Sequence, residues 1–339
     1  MARSNNPKYG DVIRFFGPSV RPDEAKFMVL PTGLLSRYRR YFLHRKVAHE
    51  FRDCDSVVRL MGYPWFSYLT KAKYFCYVQT GIDHTLSHIE RPQNTITRTY
   101  GSLTAKSFRR SGDSVKFAVV SESVRESVKA LWQQPSVIIP PPVNVGHYRD
   151  VAKRYIDQKA EFKVVSVGRF AREKNHLEQL EIMTSLLQHN PDWRLVMIGS
   201  REIESAGTLD ELKRIIKERG IERNVSILEN ATQEEVDREL GTAQYFLHTN
   251  HREAFGVSVV EAITAGCIPV VPREGGPGEI VSSELTFSRV PEAVDILKRL
   301  SSGWRPSSNV AQDVDCSESA FQHRWIELVR SSRRIVNPD

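Results

Sequence analysis

The chain has 339 residues, of which 40% are hydrophobic and 26% charged, with a formal net charge of +7. That balance belongs to a soluble globular protein long enough for two domains, each able to bury a core. No run of roughly 18 apolar residues and no charged-then-apolar leader is present, so neither a membrane span nor ordinary secretion is expected. Cys54, Cys76, Cys267 and Cys316 form no CxxC pair and no metal-ligand spacing, so reduced thiols in a cytoplasmic setting are expected.

In chain order, Asp11–Phe16 followed by Gly17-Pro18 reads as an opening strand and turn. Residues 34–52 interleave Leu34, Tyr38, Tyr41 and Phe42 with Arg37, Arg39, Arg40, Arg45 and Lys46, the pattern of a basic amphipathic helix. Such a helix either packs its apolar stripe on a sheet or lies on an anionic membrane. Asp55–Val58 precedes a loop, Tyr74–Val78 reads as a strand, and Ala118–Ser123 ends another strand. The stiff segment Pro140–Val145 closes this half and marks a domain boundary. Residues 1–150 carry 23 Lys+Arg against 12 Asp+Glu, a net +11, and residues 151–339 carry 25 against 29, a net −4. A basic first half suits an anionic partner or membrane surface; no nucleic-acid module accompanies it.

The second half alternates regularly. Phe162–Val167 is an apolar, β-branched strand, and Gly168-Arg169-Phe170-Ala171-Arg172-Glu173-Lys174 follows at once. Then come helix His176–His189, strand Arg194–Ile198 ending at Gly199, and helix Leu209–Arg219 stopped by Gly220. Strand Val225–Leu228, helix Gln233–Leu240 and strand Tyr245–His248 complete the alternation, which implies a doubly wound parallel sheet. A loop then leads into a helix of small and apolar residues (Val257 to Gly266) and a buried strand, Ile268–Val271. Gly275-Gly276-Pro277 follows, and a last helix spans Ala320–Ser331 with Phe321, Trp325 and Leu328 on one stripe.

Glu253 and Glu261 stand eight positions apart, a reach of ~12 Å at helical rise. The stretch Glu253-AFGVSVV-Glu261, with Ala262, Ala265-Gly266 and Gly275-Gly276-Pro277, resembles the retaining glycosyltransferases of family 4, whose hallmark is Glu-x7-Glu. The resemblance implies an α/β chain of the GT-B fold, two Rossmann-like domains with parallel sheets facing a central cleft. It places the acceptor domain at 1–145, shorter than the family's, the donor domain at 146–318, and a closing helix at 319–339.

For the site, the resemblance implies that Arg169 and Lys174 grip the donor diphosphate, stabilising charge that grows on the leaving group. Glu253 would hold the hexose hydroxyls and Glu261 the ribose hydroxyls. Gly168, Gly199, Ala254, Phe255, Gly256, Gly275 and Gly276 would complete the donor site. The family's His after the Tyr74–Val78 strand is replaced by Gln79, with His84 nearby as the other acceptor-side candidate. The family often shows a Gly after the Val225–Leu228 strand, where this chain has Glu229-Asn230, which leaves the nucleotide base open. The implied activity is transfer of a hexose from GDP-mannose or a UDP-hexose to a glycan or lipid-linked acceptor. No cofactor and no essential metal are expected, and residues 34–52 are the candidate for peripheral contact with an anionic membrane. The short first domain also fits a protein that binds nucleotide sugar or carbohydrate without turnover.

Overall fold

The computed structural model describes residues 56–60, 73–79, 115–200, 206–311 and 314–331. The expected opening strand at 11–16, the basic helix at 34–52 and His84 lie outside these residues. The chain divides into two compact units, one of residues 1–120, 124–139 and 318–339, the other of residues 121–123 and 140–317.

In the first unit, β1 (Ser56–Leu60), β2 (Lys73–Val78), β3 (Val115–Val119) and β4 (Ser136–Ile138) form a parallel sheet in that order. Helix α1 (Glu122–Trp132) connects β3 to β4. Parallel strands need such crossovers and bury both faces. Accordingly Phe75, Cys76 and Tyr77 of β2 are wholly buried. The Tyr77 hydroxyl, buried with its ring, donates to the Ile139 carbonyl at 2.7 Å. Its ring meets the edge of Trp325 at 5.5 Å and lies 6.0 Å from Phe321. Both belong to the terminal helix, Glu318–Ser331, which begins two residues before the predicted Ala320 and buries the predicted stripe of Phe321, Trp325 and Leu328.

The second unit opens with α2 (Val145–Arg154) and β5 (Ala160–Val167), then α3 (His176–Leu187), β6 (Arg194–Gly199), α4 (Ala206–Glu218) and β7 (Val225–Glu229). It continues with α5 (Gln233–Thr242), β8 (Ala243–Leu247), α6 (Val257–Thr264), β9 (Ile268–Pro272), α7 (Gly276–Ile280), β10 (Thr286–Phe287) and α8 (Val290–Ser301). All six strands are parallel, in the order β10-β9-β8-β5-β6-β7. From β5 the chain winds outward through β6 to β7, then returns to the other side of β5 and winds through β8 to β10. This is the doubly wound order, with its reversal between β5 and β8. Helix α3 packs with α4 and α8, while α2 packs with α5 and α6.

The element boundaries have local causes. Helix α5 starts where Thr232 accepts from the Glu235 amide and the Glu235 carboxylate accepts from the Thr232 amide, a reciprocal cap. It runs straight into β8, so that strand begins at Ala243, two residues before the predicted Tyr245. The carboxyl ends of α5 and α6 are tied together by Lys159. Its part-buried ammonium donates to the carbonyls of Ala243 at 2.8 Å, Ala265 at 3.2 Å and Leu240 at 3.3 Å, meeting acceptors that a helix end leaves without partners. Trp193, almost fully buried, fills the core beside Phe162 and Tyr245 with ring centroids 5.3 and 5.5 Å away.

Candidate active site at the sheet crossover

In a doubly wound sheet the crevice for a ligand opens at the carboxyl ends of the strands flanking the reversal. Here those strands are β5 and β8, and each runs into one of the polar segments expected to hold the donor. After β5, the Gly168 amide donates to the Ile198 carbonyl at 2.9 Å, and a 3-10 turn over Arg172–Lys174 leads to Asn175. Asn175 adopts φ 51°, a left-handed conformation that Asn tolerates better than most residues, and α3 starts at His176. The turn sends Lys174 back across Gly168, whose Cα faces the aliphatic stem of that lysine.

After β8 the chain forms an irregular loop, residues 248–256, before α6. The Thr249 hydroxyl donates to the Lys174 carbonyl at 2.8 Å and accepts from Gln179 at 3.0 Å. The Glu253 carboxylate lies 2.5 Å from the Lys174 ammonium and accepts from the Asn250 side chain at 2.9 Å. Both charged side chains are about one-fifth exposed, 19% for Lys174 and 21% for Glu253. His248, buried, stands 3.6 Å from the same carboxylate oxygen, and its Nε2 has no hydrogen-bond partner within normal distance among the described residues. Burial lowers the pKa of His248. For Glu253, burial works against ionisation, but His248 and Lys174 outweigh it and hold the carboxyl well below the usual range.

The glycine loop closes the other side of Glu253. The Gly276 amide donates to the Glu253 carbonyl at 2.8 Å. A Cβ on Gly276 would fall 2.4 Å from the Ala254 oxygen and from the Phe255 Cα, and one on Gly275, at φ 80°, would fall 2.7 Å from the Glu253 oxygen. Two backbones touch here without room for a methyl group. Gly276→Ala is therefore expected to destabilise the second unit by about 2 kcal/mol, the usual scale of overpacking. A urea titration of the variant checks this; an unchanged midpoint would mean that the loop yields freely. Gly199 has a similar reason to be glycine, since its Cβ would fall 2.1 Å from the Gly168 oxygen.

The other predicted site residues fall in different places. Arg169 pairs through its guanidinium with Glu173 at 2.8 Å, and its carbonyl faces the His176 ring at 2.9 Å. Ala254 and Phe255 are 7% and 5% exposed, so their side chains belong to the core. Gly256 is the N-cap of α6. Because α6 begins only at Val257, the reach of ~12 Å drawn from unbroken helical rise does not hold between Glu253 and Gly256, and helical rise applies from Val257 onward.

Glu261, in the second turn of α6, lies beside Tyr148 of α2. Beside it, His147 lies 2.9 Å from Asp237, which also accepts from Gln233 at 2.8 Å. Burial pushes the Glu261 carboxyl up to about 7, against the opposing effect of the neighbouring Tyr148. Asn230, where the family often shows Gly, adopts φ 53°, and its amide donates to the Gly199 carbonyl at 2.8 Å. The position thus keeps the backbone conformation that a glycine would favour. Gln79 follows β2 in the first unit and is partly exposed. His248, Asn250 and His251 were not singled out from the sequence; their one signal was a polar run directly after a buried strand.

The model of the family described as "Glycosyl transferases group 1" matches residues 150–300. Over these residues the chain is similar to that family. Lys174 and Glu253 both lie within the matched residues. Among curated proteins, the chain is 28% identical over 193 residues to a GDP-Man:Man(3)GlcNAc(2)-PP-Dol alpha-1,2-mannosyltransferase of Dictyostelium discoideum, covering 53% of this chain and 38% of that one. It is 30% identical over 158 residues to the human protein of the same name, covering 44% and 32%. A GDP-mannose:cellobiosyl-diphosphopolyprenol alpha-mannosyltransferase of Xanthomonas campestris is 30% identical over 142 residues, covering 39% and 36%. The chain thus spans about a third of the length of these curated relatives, from 32% to 38%.

Solved structures share the fold across both units. Anabaena HepE, solved with UDP and glucose, has a TM-score of 0.62 at 14% identity, covering 90% of this chain and 85% of that one. A trehalose 6-phosphate synthase from Burkholderia multivorans has a TM-score of 0.65 at 11% identity, covering 96% and 81%. The fold of the two units is GT-B. No helix among the described residues is long and apolar enough to cross a membrane.

Proposed function

We propose that the chain is a retaining hexosyltransferase that moves mannose from GDP-mannose to a hydroxyl of a lipid-linked glycan. The observation that carries this reading is the Lys174–Glu253 pair, held at 2.5 Å where the strand order reverses. A cation and a carboxylate side by side suit a ligand with a diphosphate joined to a polyhydroxylated ring. The names of the curated relatives favour GDP-mannose over a UDP-hexose.

In this reading the Lys174 ammonium turns to the diphosphate, joined by Arg169 and the amides at the start of α6, where a helix N-terminus favours anions. Glu253 accepts hydrogen bonds from the hexose hydroxyls and Glu261 from those of the ribose. The acceptor hydroxyl attacks from the face that the leaving group departs, and its proton passes to the departing phosphate oxygen. The cations stabilise the charge that grows on that oxygen, so no essential metal is proposed. Gln79 and His84 are the acceptor-side candidates, and the basic segment 34–52 is proposed to hold the protein on the cytoplasmic face of an anionic membrane.

The test is release of nucleoside diphosphate from GDP-mannose, UDP-glucose, UDP-galactose and UDP-GlcNAc, with Lys174→Ala as control. Slow hydrolysis of GDP-mannose that is absent in the variant is the expected result. Release from a UDP-sugar alone would replace the donor. Silence with every donor, together with flat thermal shifts for GDP and UDP, would favour a protein that has lost the activity.

A further inference from the structure

His251 sits two residues before Glu253 and meets more of the site than the proposed function uses. Its Nε2 lies 3.0 Å from Glu178 of α3, and its Nδ1 lies 3.3 Å from Glu274 at the head of the glycine loop. The ring also meets the edge of Phe287 in β10, with centroids 5.8 Å apart. Glu178 in turn accepts from the Asn175 side chain, directly after Lys174. Glu274 accepts from the Ser288 hydroxyl at 3.3 Å. Three segments that carry the candidate site, the Lys174 turn, the Glu253 loop and the glycine loop, therefore converge on one imidazole.

We infer that His251 is a positioning residue that staples these three segments and so fixes Glu253 against Lys174. The inference rests on the proposed function for its effect on turnover, but its effect on the loop does not. Only a ring with a proton on each nitrogen donates to both carboxylates, and held between them it has no freedom to swing, which suits a brace rather than a group that contacts substrate. Glu253 itself is bound to the brace through Asn250 and through its own carbonyl, which accepts from Gly276. Small misplacements of catalytic groups are costly, and a shift of about 1 Å can reduce turnover about 100-fold.

The test compares His251→Gln and His251→Arg by hydrogen–deuterium exchange and by turnover. Gln offers a donor to one carboxylate and an oxygen to the other, so it breaks one side of the staple. Arg keeps donors for both. In His251→Gln, amide exchange over residues 249–256 and 274–276 is expected to rise about tenfold while the rest of the unit is unchanged. Its kcat is expected to fall between about 10- and 100-fold, with donor KM within about threefold of wild type. His251→Arg is expected to restore both. Unchanged exchange in His251→Gln would overturn the inference, as would altered exchange with wild-type kcat, or exchange that rises across the whole unit. A wild-type protein without turnover would overturn the proposed function alone, and exchange would still decide the staple.

Discussion

Lys174→Ala and Glu253→Ala are each expected to reduce kcat by about 100- to 1,000-fold, the range seen when one charge-stabilising group is removed from an active site. The double variant is expected to be little worse than either single one. The two groups touch at 2.5 Å and share one local environment, so each removal already abolishes what the pair does together. Lys174→Ala also leaves Glu253 as a largely buried carboxylate facing His248 and Asn250. Initial rates at saturating donor are the measurement. Additive losses, multiplying in the double variant, would show that the two residues act independently; near wild-type rates in both single variants would remove them from the site.

Glu261→Gln is expected to stabilise the second unit by about 3 kcal/mol at pH 8 and to have little effect near pH 4. The carboxyl of Glu261 is pushed up to about 7 by burial. The folded protein therefore holds this proton more tightly than the unfolded chain, whose Glu titrates near about 4.3. Stability falls as pH rises from that value to about 7 and stays low above it. Gln cannot ionise, so the variant escapes the loss. Glu253 behaves oppositely. Its folded pKa is depressed, so its contribution is present above the unfolded value and is lost as pH falls through the folded one. Urea midpoints of wild type and Glu261→Gln across pH 4 to 8, each roughly bracketing the titration, decide the matter. A difference that does not grow with pH would mean that burial does not oppose this charge. In the proposed function the same variant loses affinity for the donor ribose, so its stability and donor KM should rise together.

The second unit was legible because each strand is a compact apolar run and each helix carries its own stripe and stop. Predicted and observed boundaries differ by few residues there, as with β5, which starts at Ala160 instead of Phe162. Lys174 and Glu253 were legible as motif positions, but their direct contact was not, because 79 residues separate them. The pairing of Glu261 with Tyr148 was hidden for the same reason: it depends on how α2 packs against α6. The loop residues His248, Asn250 and His251 carry no periodicity, so no pattern marked them. The estimated reach between the two glutamates failed because the helix begins after Gly256.

The reversal of strand order divides the site between two halves of one sheet. Lys174 follows β5, in the half that winds through β7, whereas Glu253 follows β8, in the half that winds through β10. Neither half holds both charges. A substitution in one half leaves the other with a stranded ion, so selection on either position is felt at once by the other. The two should be kept or lost together across descendants.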